Sequence, residues 1–431
     1  MDVLVHPASR LEGTIDPPSS KNYTTRYLLA AALAEGESVI ACPAESEDSD
    51  AMQRCLTDLG AVLTREGNTL KVRGFGRHPI EVDSLNPGNA GAVLRFLMAI
   101  CAVTLRQVTF VTYYAESLGK RPQADLLDAL RQLGVRSMSK DGRLPISLFG
   151  GEVDGGHVLV SGEVSSQYTS ALLFAAPLTG KEITIEVTGE MKSRAPIRQT
   201  LQVLREAGIT VDASEDLRTY RIPAGQHYQP RHYTVPGDYP GAAAIMAAAA
   251  VVDSDVVIER LFEDEQGERE AVDVLKALGA DITRDGSRVR IRGGKPLHGG
   301  RFDGDRFTDA VPVLTAAATV AGGPIVFENC ENLRFKECDR ISEYRAELLK
   351  VGAQVAEERD AIIVDGQPGG LAGGATVESH LDHRVIMGLT ITGLVSRAPV
   401  LIKDAHHVAK SYPAFFDDLR SLGAQIDVVT L

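Results

Sequence analysis

LKALGADITRDG, residues 275–286, contains the end of an amphipathic helix, a glycine that stops it, and a short alternating strand. The same pattern occurs six times in the 431-residue chain. Its glycines lie 71 to 74 residues apart and are Gly60, Gly134, Gly208, Gly279, Gly352 and Gly423. Glycine suits the left-handed position that commonly ends a helix. Six units of this length nearly fill the chain, so the sequence predicts a six-fold repeat.

Each predicted unit also carries a second helix that is rich in aliphatic residues and has few charges. A helix that is apolar nearly all round is buried. We expect an α/β fold of two inside-out barrels, with six βαβαββ-type repeats, three per domain, whose buried helices are surrounded by sheets. The predicted buried helices are 21–33, 89–103, 166–177, 239–252, 309–320 and 382–394.

The last repeat runs out of sequence after one strand, and the N-terminal strand at residues 2–5 is free to pair with it. That pairing places both termini in one domain. We expect a discontinuous domain of residues 1–18 plus 237–431 and a continuous domain of residues 19–236. The active site is expected in the cleft between them.

The composition restricts the possible functions. Hydrophobic residues make up 44% and charged residues 24%, as in ordinary soluble globular proteins. The net charge of −13 disfavours non-specific binding to nucleic acid or to an anionic membrane. The five cysteines show no metal-ligand spacing, and no secretion signal or membrane span is evident. We therefore expect a cytoplasmic protein without a metal.

Polar or small residues precede every predicted buried helix, and helix starts attract phosphate and carboxylate. Such residues alone also serve as ordinary caps. Basic residues beside them favour a binding site, because a cation at a helix start is unfavourable without an anion. Those cations are Lys21, Arg26, Arg95 and Arg384. A further basic segment at 332–340 would place Lys336 and Arg340 on one face if it were helical.

Six short motifs carry a resemblance to a known family. They are GNAG at 88–91, KRP at 120–122, SSQ at 165–167, FKECDR at 335–340, DHR at 382–384 and AKSYP at 409–413. In this order and spacing they resemble the enolpyruvyl transferases, and most closely the EPSP synthases. The resemblance covers essentially the whole chain.

The resemblance implies transfer of the enolpyruvyl group of phosphoenolpyruvate to the 5-hydroxyl of shikimate 3-phosphate, with release of phosphate. This addition–elimination belongs to the shikimate pathway of aromatic amino acid biosynthesis. It implies small-molecule substrates, no cofactor, no metal, no nucleic acid, no membrane, a monomer, and glyphosate as an inhibitor that occupies the phosphoenolpyruvate site.

The resemblance also implies the site residues. Shikimate 3-phosphate would contact Lys21, Asn22, Arg26, Ser165, Ser166, Gln167, Ser193, Asp309, Asn332 and Lys336. Phosphoenolpyruvate would contact Lys21, Gly91, Arg121, Gln167, Arg340, Arg384 and Lys410. The expected catalytic groups are Asp309 as base on the hydroxyl, Glu337 for proton exchange at C3, and Lys21 and His383 in support.

The sequence departs from the usual family pattern at Asn22, Thr25, Ala92, Pro196 and Leu381. Lys21-Asn22 is the pair found in the sister family that acts on a UDP-amino sugar, but the loop 115–121 lacks that family's Cys or Asp. Two alternatives stay open. One is an enolpyruvyl transferase with another acceptor, such as a UDP-amino sugar, and the other is a non-catalytic anion-binding homologue.

Overall fold

The structure, a computed structural model, describes residues 1–191 and 194–429. It divides into two compact units. Met1–Pro18 and Gly237–Leu431 form what we call the terminal unit, and Ser19–Pro236 forms the central unit. Each unit has its own hydrophobic core.

Short strands account for much of the described chain. In order they are β1 (Asp2–Val5), β2 (Leu11–Ile15), β3 (Glu37–Ala41), β4 (Val62–Glu66), β5 (Thr69–Arg73), β6 (Ser84–Leu85), β7 (Gln107–Phe110), β8 (Arg136–Lys140), β9 (Arg143–Phe149), β10 (Gly156–Ser161), β11 (Ile183–Thr188), β12 (Asp212–Ala213), β13 (Thr219–Ile222), β14 (His232–Thr234), β15 (Ser254–Ile258), β16 (Asp281–Asp285), β17 (Arg288–Arg292), β18 (Gly300–Asp303), β19 (Ile325–Glu328), β20 (Gln354–Glu357), β21 (Ile362–Asp365), β22 (Leu371–Gly373), β23 (Thr376–Glu378), β24 (Ser396–Ala398), β25 (Val400–Lys403) and β26 (Ile426–Val429).

One sheet topology recurs in both units. The sheets of the central unit are ordered β14-β3-β5-β4, β6-β7-β9-β8 and β10-β11-β13-β12. Those of the terminal unit are ordered β2-β15-β17-β16, β18-β19-β21-β20 and β23-β25-β1-β26, beside the small pair β22-β24. In each four-stranded sheet the first two strands are parallel and the later neighbours antiparallel. The predicted six-fold repeat is thus visible in the sheets.

The N-terminal strand β1 completes the sixth sheet. It lies between β25 and β26 and runs antiparallel to both, with Val3 opposite Ile402 on one side and Val428 on the other. Val3 and Val5 point into the core and are fully buried. The predicted pairing of the N-terminal strand with the last repeat is confirmed.

Twelve α-helices lie in the described residues. They are α1 (Lys21–Ala32), α2 (Glu47–Asp58), α3 (Gly91–Thr104), α4 (Ala124–Gln132), α5 (Ser166–Ala175), α6 (Arg194–Glu206), α7 (Tyr239–Val251), α8 (Glu270–Ala277), α9 (Val311–Ala318), α10 (Ser342–Lys350), α11 (His383–Leu394) and α12 (Phe415–Ser421). The odd-numbered helices are the predicted buried ones, and α7 is buried from Tyr239 through Ala250. Within the described chain, no helix is both long and apolar enough to cross a bilayer.

The repeat glycines follow the outer helices as predicted. Gly60, Gly134, Gly208, Gly279, Gly352 and Gly423 all have positive φ, between 84° and 109°. A side chain is strained in this region of φ, which explains why each copy has glycine there.

One predicted helix start is wrong. Asp309 does not begin a buried helix, because it lies in a 3₁₀ segment, Gly304–Ala310, and α9 begins at Val311. The chain leaves helical geometry at Phe307 (φ −141°, ψ 48°), and Pro312 occupies the first turn of α9, where a missing N–H costs nothing. The aliphatic pattern continues across this break, so the pattern alone could not locate it.

Candidate active site

Arg26 of the central unit is a buried cation with neutral partners. Its Nε donates to Thr200 Oγ1 at 3.0 Å, and its Nη atoms donate to the carbonyls of Asn22 (2.9 Å) and Pro196 (3.2 Å). Burial lowers the pKa of Arg26 to about 10, so it is still charged at neutral pH. Among the described residues no carboxylate hydrogen-bonds or pairs with Arg26, so its charge has no counter-ion in that part of the chain.

Arg95 ties the SSQ motif to α3. Its Nη1 donates to Gln167 Oε1 at 2.6 Å and to Ser165 Oγ at 3.3 Å, while its Nε donates to Gln123 Oε1 at 3.1 Å. Ser165 also caps α5 by accepting from the N–H of Gln167. Arg95 was absent from both expected substrate sets, although a cation one turn into a buried helix was its signal in the sequence.

Gly91 and Arg121 lie together at the start of α3. A Cβ atom on Gly91 would lie 3.1 Å from Arg121 Nη1 and 3.7 Å from Arg95 Nη1. The missing side chain therefore lets two guanidinium groups approach the helix N-terminus, where backbone N–H groups are unpaired. The GNAG, KRP and SSQ motifs form one basic cluster.

The other expected residues of the central unit vary in exposure. Lys21, at the start of α1, is about half exposed, and its Nζ lies 3.4 Å from Asp48 Oδ2. Asn22 is exposed and Ser166 is buried. Ser193 lies outside the described residues.

Arg340 of the terminal unit is surrounded by carboxylates. It is 1% exposed and donates to Asp382 Oδ2 at 2.7 Å, Asp309 Oδ1 at 2.9 Å and Glu337 Oε2 at 2.9 Å. Burial alone would lower the pKa of the guanidinium, but the three carboxylates outweigh it and raise the pKa. Asp382 also caps α11 by accepting from the N–H of Arg384 at 2.8 Å.

Asp309 lies between two guanidinium groups. Besides Arg340, the Nη2 of Arg384 lies 3.7 Å from Asp309 Oδ2. Burial would raise the pKa of Asp309, but Arg384 and Arg340 hold it well below its ordinary value. The Nε of Arg384 is buried without a hydrogen-bond partner among the described residues, so this cation keeps donor capacity for an anion.

Glu337 accepts from both Arg340 and Lys410. Burial would raise the pKa of Glu337, but these two cations hold it at about 2. The Nδ1 of His383 lies 4.0 Å from Glu337 Oε1. Burial, with Arg384 and Arg340 nearby, lowers the pKa of His383 to about 2, so the imidazole is neutral. A neutral imidazole has one nitrogen that donates and one that accepts, so it can form either kind of hydrogen bond with a bound group.

Asn332 and Lys336 lie on an irregular segment. Asn332 Nδ2 donates to Asp305 Oδ1 at 2.9 Å and to Thr308 Oγ1 at 3.2 Å. Lys336 is exposed and has an extended conformation, so the segment is not helical there and the condition for a face shared with Arg340 is not met. The helix starts later because Asp339 Oδ1 accepts from the N–H groups of residues 341 and 342, where α10 begins.

Glu268 is a site residue that sequence reasoning missed. Its Oε1 accepts from the backbone N–H of Asp309 at 3.4 Å. Burial and the Asp309 charge raise the pKa of Glu268 to about 7. It lies in a short 3₁₀ segment, Gly267–Arg269, that no helix or strand pattern marks. The described residues contain no cluster of three or more His, Cys, Asp or Glu side chains that could hold a metal ion.

The buried helices share a feature that favours anions. None of the six, all within the described chain, has an acidic residue in its first turn. The outer helix α2, by contrast, begins with Glu47, Asp48 and Asp50. Acidic residues stabilise a helix start, so their absence leaves the partial positive charge of α1, α3 and α5 available to a ligand, whereas the carboxylates of Asp238 and Asp382 cap α7 and α11.

Comparison with known proteins shows that the similarity extends beyond the motifs to nearly the whole chain. The family model described as EPSP synthase (3-phosphoshikimate 1-carboxyvinyltransferase) matches residues 5–419. The 3-phosphoshikimate 1-carboxyvinyltransferase of Deinococcus radiodurans is 54% identical over 427 residues, covering 99% of this chain and 97% of that protein. Its counterpart from Burkholderia pseudomallei is 39% identical over 429 residues, covering 99% and 95%.

A solved structure has the same fold as this chain. The structure of EPSP synthase from Acinetobacter baumannii superimposes with a TM-score of 0.89 at 26% identity and covers 100% of both chains. The predicted α/β fold and the resemblance drawn from the six motifs are confirmed. The chain belongs to the EPSP synthase family.

Proposed function

We propose that this protein transfers the enolpyruvyl group of phosphoenolpyruvate to the 5-hydroxyl of shikimate 3-phosphate, giving 5-enolpyruvylshikimate 3-phosphate and phosphate. Family membership over residues 5–419 supports the reaction. The observation that carries the proposal is the network around Arg340, where Asp309, Glu337 and Asp382 converge on one buried guanidinium. The carboxylates can transfer protons, and the cations beside them can bind the anionic substrates.

The chemistry begins with addition. Asp309 takes the proton of the acceptor hydroxyl, whose oxygen attacks C2 of phosphoenolpyruvate, while C3 gains a proton through Glu337. Asp309 is ionised and ready to accept a proton, and Glu337 shares its environment with Lys410, a proton source. In the elimination step C3 returns its proton through Glu337, the C2–C3 double bond re-forms, and the C2–O bond to phosphate breaks, while the departing phosphate takes the proton held by Asp309. The fixed cations stabilise charge that develops on the phosphate.

The two substrates require different partners. In the central unit, Arg26 and the Ser165–Gln167 segment offer a cation without a counter-ion and neutral donors, which suits the phosphate of shikimate 3-phosphate. Lys21 and Asn22 lie about one helical turn before Arg26 in α1 and join this set. Arginine donors match carboxylate and phosphate oxygens in pairs.

The proposed phosphoenolpyruvate set is Lys21, Gly91, Arg121, Gln167, Arg340, Arg384 and Lys410. Asn332 and Lys336, together with Asp309, contact the acceptor substrate in this proposal. His383 assists Glu337. The proposal also includes that the protein is a cytoplasmic monomer and that it uses no cofactor.

Phosphate release measured with both substrates tests the proposal. We expect steady turnover with shikimate 3-phosphate and phosphoenolpyruvate, and none when UDP-N-acetylglucosamine replaces the acceptor. Turnover of phosphoenolpyruvate with the UDP-sugar, but not with shikimate 3-phosphate, would identify a different acceptor. Binding of both anions without phosphate release would identify a non-catalytic homologue.

A further inference from the structure

Glu268 is a polar group at the proposed site that the mechanism above does not use. Its segment, Gly267–Arg269, packs against Gly304–Ala310, the segment that carries Asp309. The hydrogen bond from the Asp309 N–H to Glu268 Oε1, 3.4 Å long, joins the two segments at the proposed base itself. The Glu268 side chain therefore contacts the backbone of Asp309.

The surroundings of Asp309 create a chemical problem that Glu268 addresses. A general base works best when its pKa lies near the operating pH. Arg340 and Arg384 hold the pKa of Asp309 far below that range. A second negative charge close to Asp309 raises its proton affinity, because like charges disfavour the ionised form.

The charges around Glu268 determine when it is ionised. Asp238 at the start of α7, Asp309, and Arg384 in α11 all act on it. The adjacent Arg306 and Glu270 pair with each other, Nη2 to Oε1, at 2.9 Å. Burial and Asp309 together raise the pKa of Glu268 to about 7, so it gains its negative charge near neutral pH.

We propose that Glu268 is a positioning residue, which fixes the backbone of Asp309 and, once ionised, offsets the two arginines that weaken Asp309 as a base. The inference rests on the proposed function, because Asp309 has to accept a proton in the reaction. Protonated Glu268 keeps the hydrogen-bond acceptor but loses the charge. Its contribution to turnover therefore depends on pH.

Glu268→Gln separates the charge from the hydrogen bond, because the amide oxygen still accepts from the Asp309 N–H. We expect kcat/KM of the wild-type enzyme to rise about tenfold more than that of the variant as the pH passes through about 7. Below that pH the two profiles converge, since Glu268 is protonated in the wild type. Glu268→Asp keeps a charge and restores part of the rise.

Glu12→Gln is the matched control, because Glu12 is an exposed residue of the same unit that pairs with Arg10. Its profile is expected to follow the wild type throughout. Superimposable profiles for wild type and Glu268→Gln would overturn the inference, as would an equal loss at every pH, which marks a purely structural role. A wild-type enzyme without turnover on the two substrates would instead overturn the proposed function.

Discussion

Among the described residues, Arg26 and Arg95 of the central unit donate only to neutral groups, whereas Arg340 of the terminal unit donates to three carboxylates. The same repeat and the same sheet topology thus support two opposite electrostatic designs. A buried cation without a counter-ion gains most when an anion binds. A cation already paired with carboxylates holds those groups ionised and in position for proton transfer, although it also lowers their proton affinity.

Replacing the carboxylates of the terminal unit is the strongest test of this division. Asp309→Asn and Glu337→Gln keep the side-chain shape but remove the proton acceptor. We expect each to lower kcat by ~10²–10⁴, the range for a lost general acid–base group, while KM changes by a small factor. Steady-state phosphate release measures both constants. Near-normal kcat in both variants would show that the carboxylates only balance charge.

Stability distinguishes the two kinds of buried arginine. Arg340→Met leaves Asp382, which is fully buried, without its cation, and we expect a loss of about 3–5 kcal/mol in the free energy of unfolding. Arg26→Met removes a buried charge that has neutral partners, so we expect a change within about 1 kcal/mol. Urea unfolding of both variants measures the difference. Equal losses would contradict the comparison.

Gly91→Ala tests the basic cluster of the central unit by adding a methyl group without changing any charge. The new methyl group would lie 3.1 Å from Arg121 Nη1 and must displace that guanidinium. We expect KM for phosphoenolpyruvate to rise and competitive inhibition by glyphosate to weaken, each about tenfold. Gly119→Ala is the control, because its methyl group would make only ordinary contacts of 3.4 Å or more. Unchanged inhibition in Gly91→Ala would remove Gly91 from the site.

His383 gives the smallest expected effect, a pH dependence of stability. The pKa of the buried imidazole is about 2, against 6.5 in the unfolded chain, so the unfolded state binds more protons below pH 6.5. Stability is therefore lost as the pH falls below about 6.5. His383→Gln should abolish this loss of stability at low pH. The difference in Tm, variant minus wild type, should therefore be a few degrees larger at pH 5 than at pH 7.5.

Two features keep that measurement specific. Glu268, whose pKa is raised, acts in the opposite direction between its ordinary pKa and about 7, but it is present in both proteins and cancels in the difference. Gln in place of the exposed His78 of the central unit serves as the control. A parallel pH dependence of Tm in wild type and His383→Gln would contradict the assignment.

The features that could be predicted from the sequence are those that leave a local pattern of residue types. The repeat glycines, the buried helices and the strand at residues 2–5 each leave a periodic or positional mark. The start of α9 at Val311 was missed, because aliphatic residues continue across the irregular turn at Phe307. Arg340 was expected to contact phosphoenolpyruvate, but two of its three partners, Asp309 and Asp382, lie far from it in sequence, so its carboxylate network was not predicted. Glu268 has no pattern at all, because tertiary packing alone brings it to Asp309.

The position of β1 in the sixth sheet affects how the chain folds during synthesis. Asp2 is paired with Val429, so β1 leaves the ribosome long before its partner β26 and has to wait for it. The whole of Ser19–Pro236 emerges in that interval and already contains every strand of its own three sheets. Contacts between distant segments form slowly, because a long loop has to be closed first. The central unit is thus free to fold while translation continues, whereas the sixth sheet of the terminal unit is completed only after β26 has emerged.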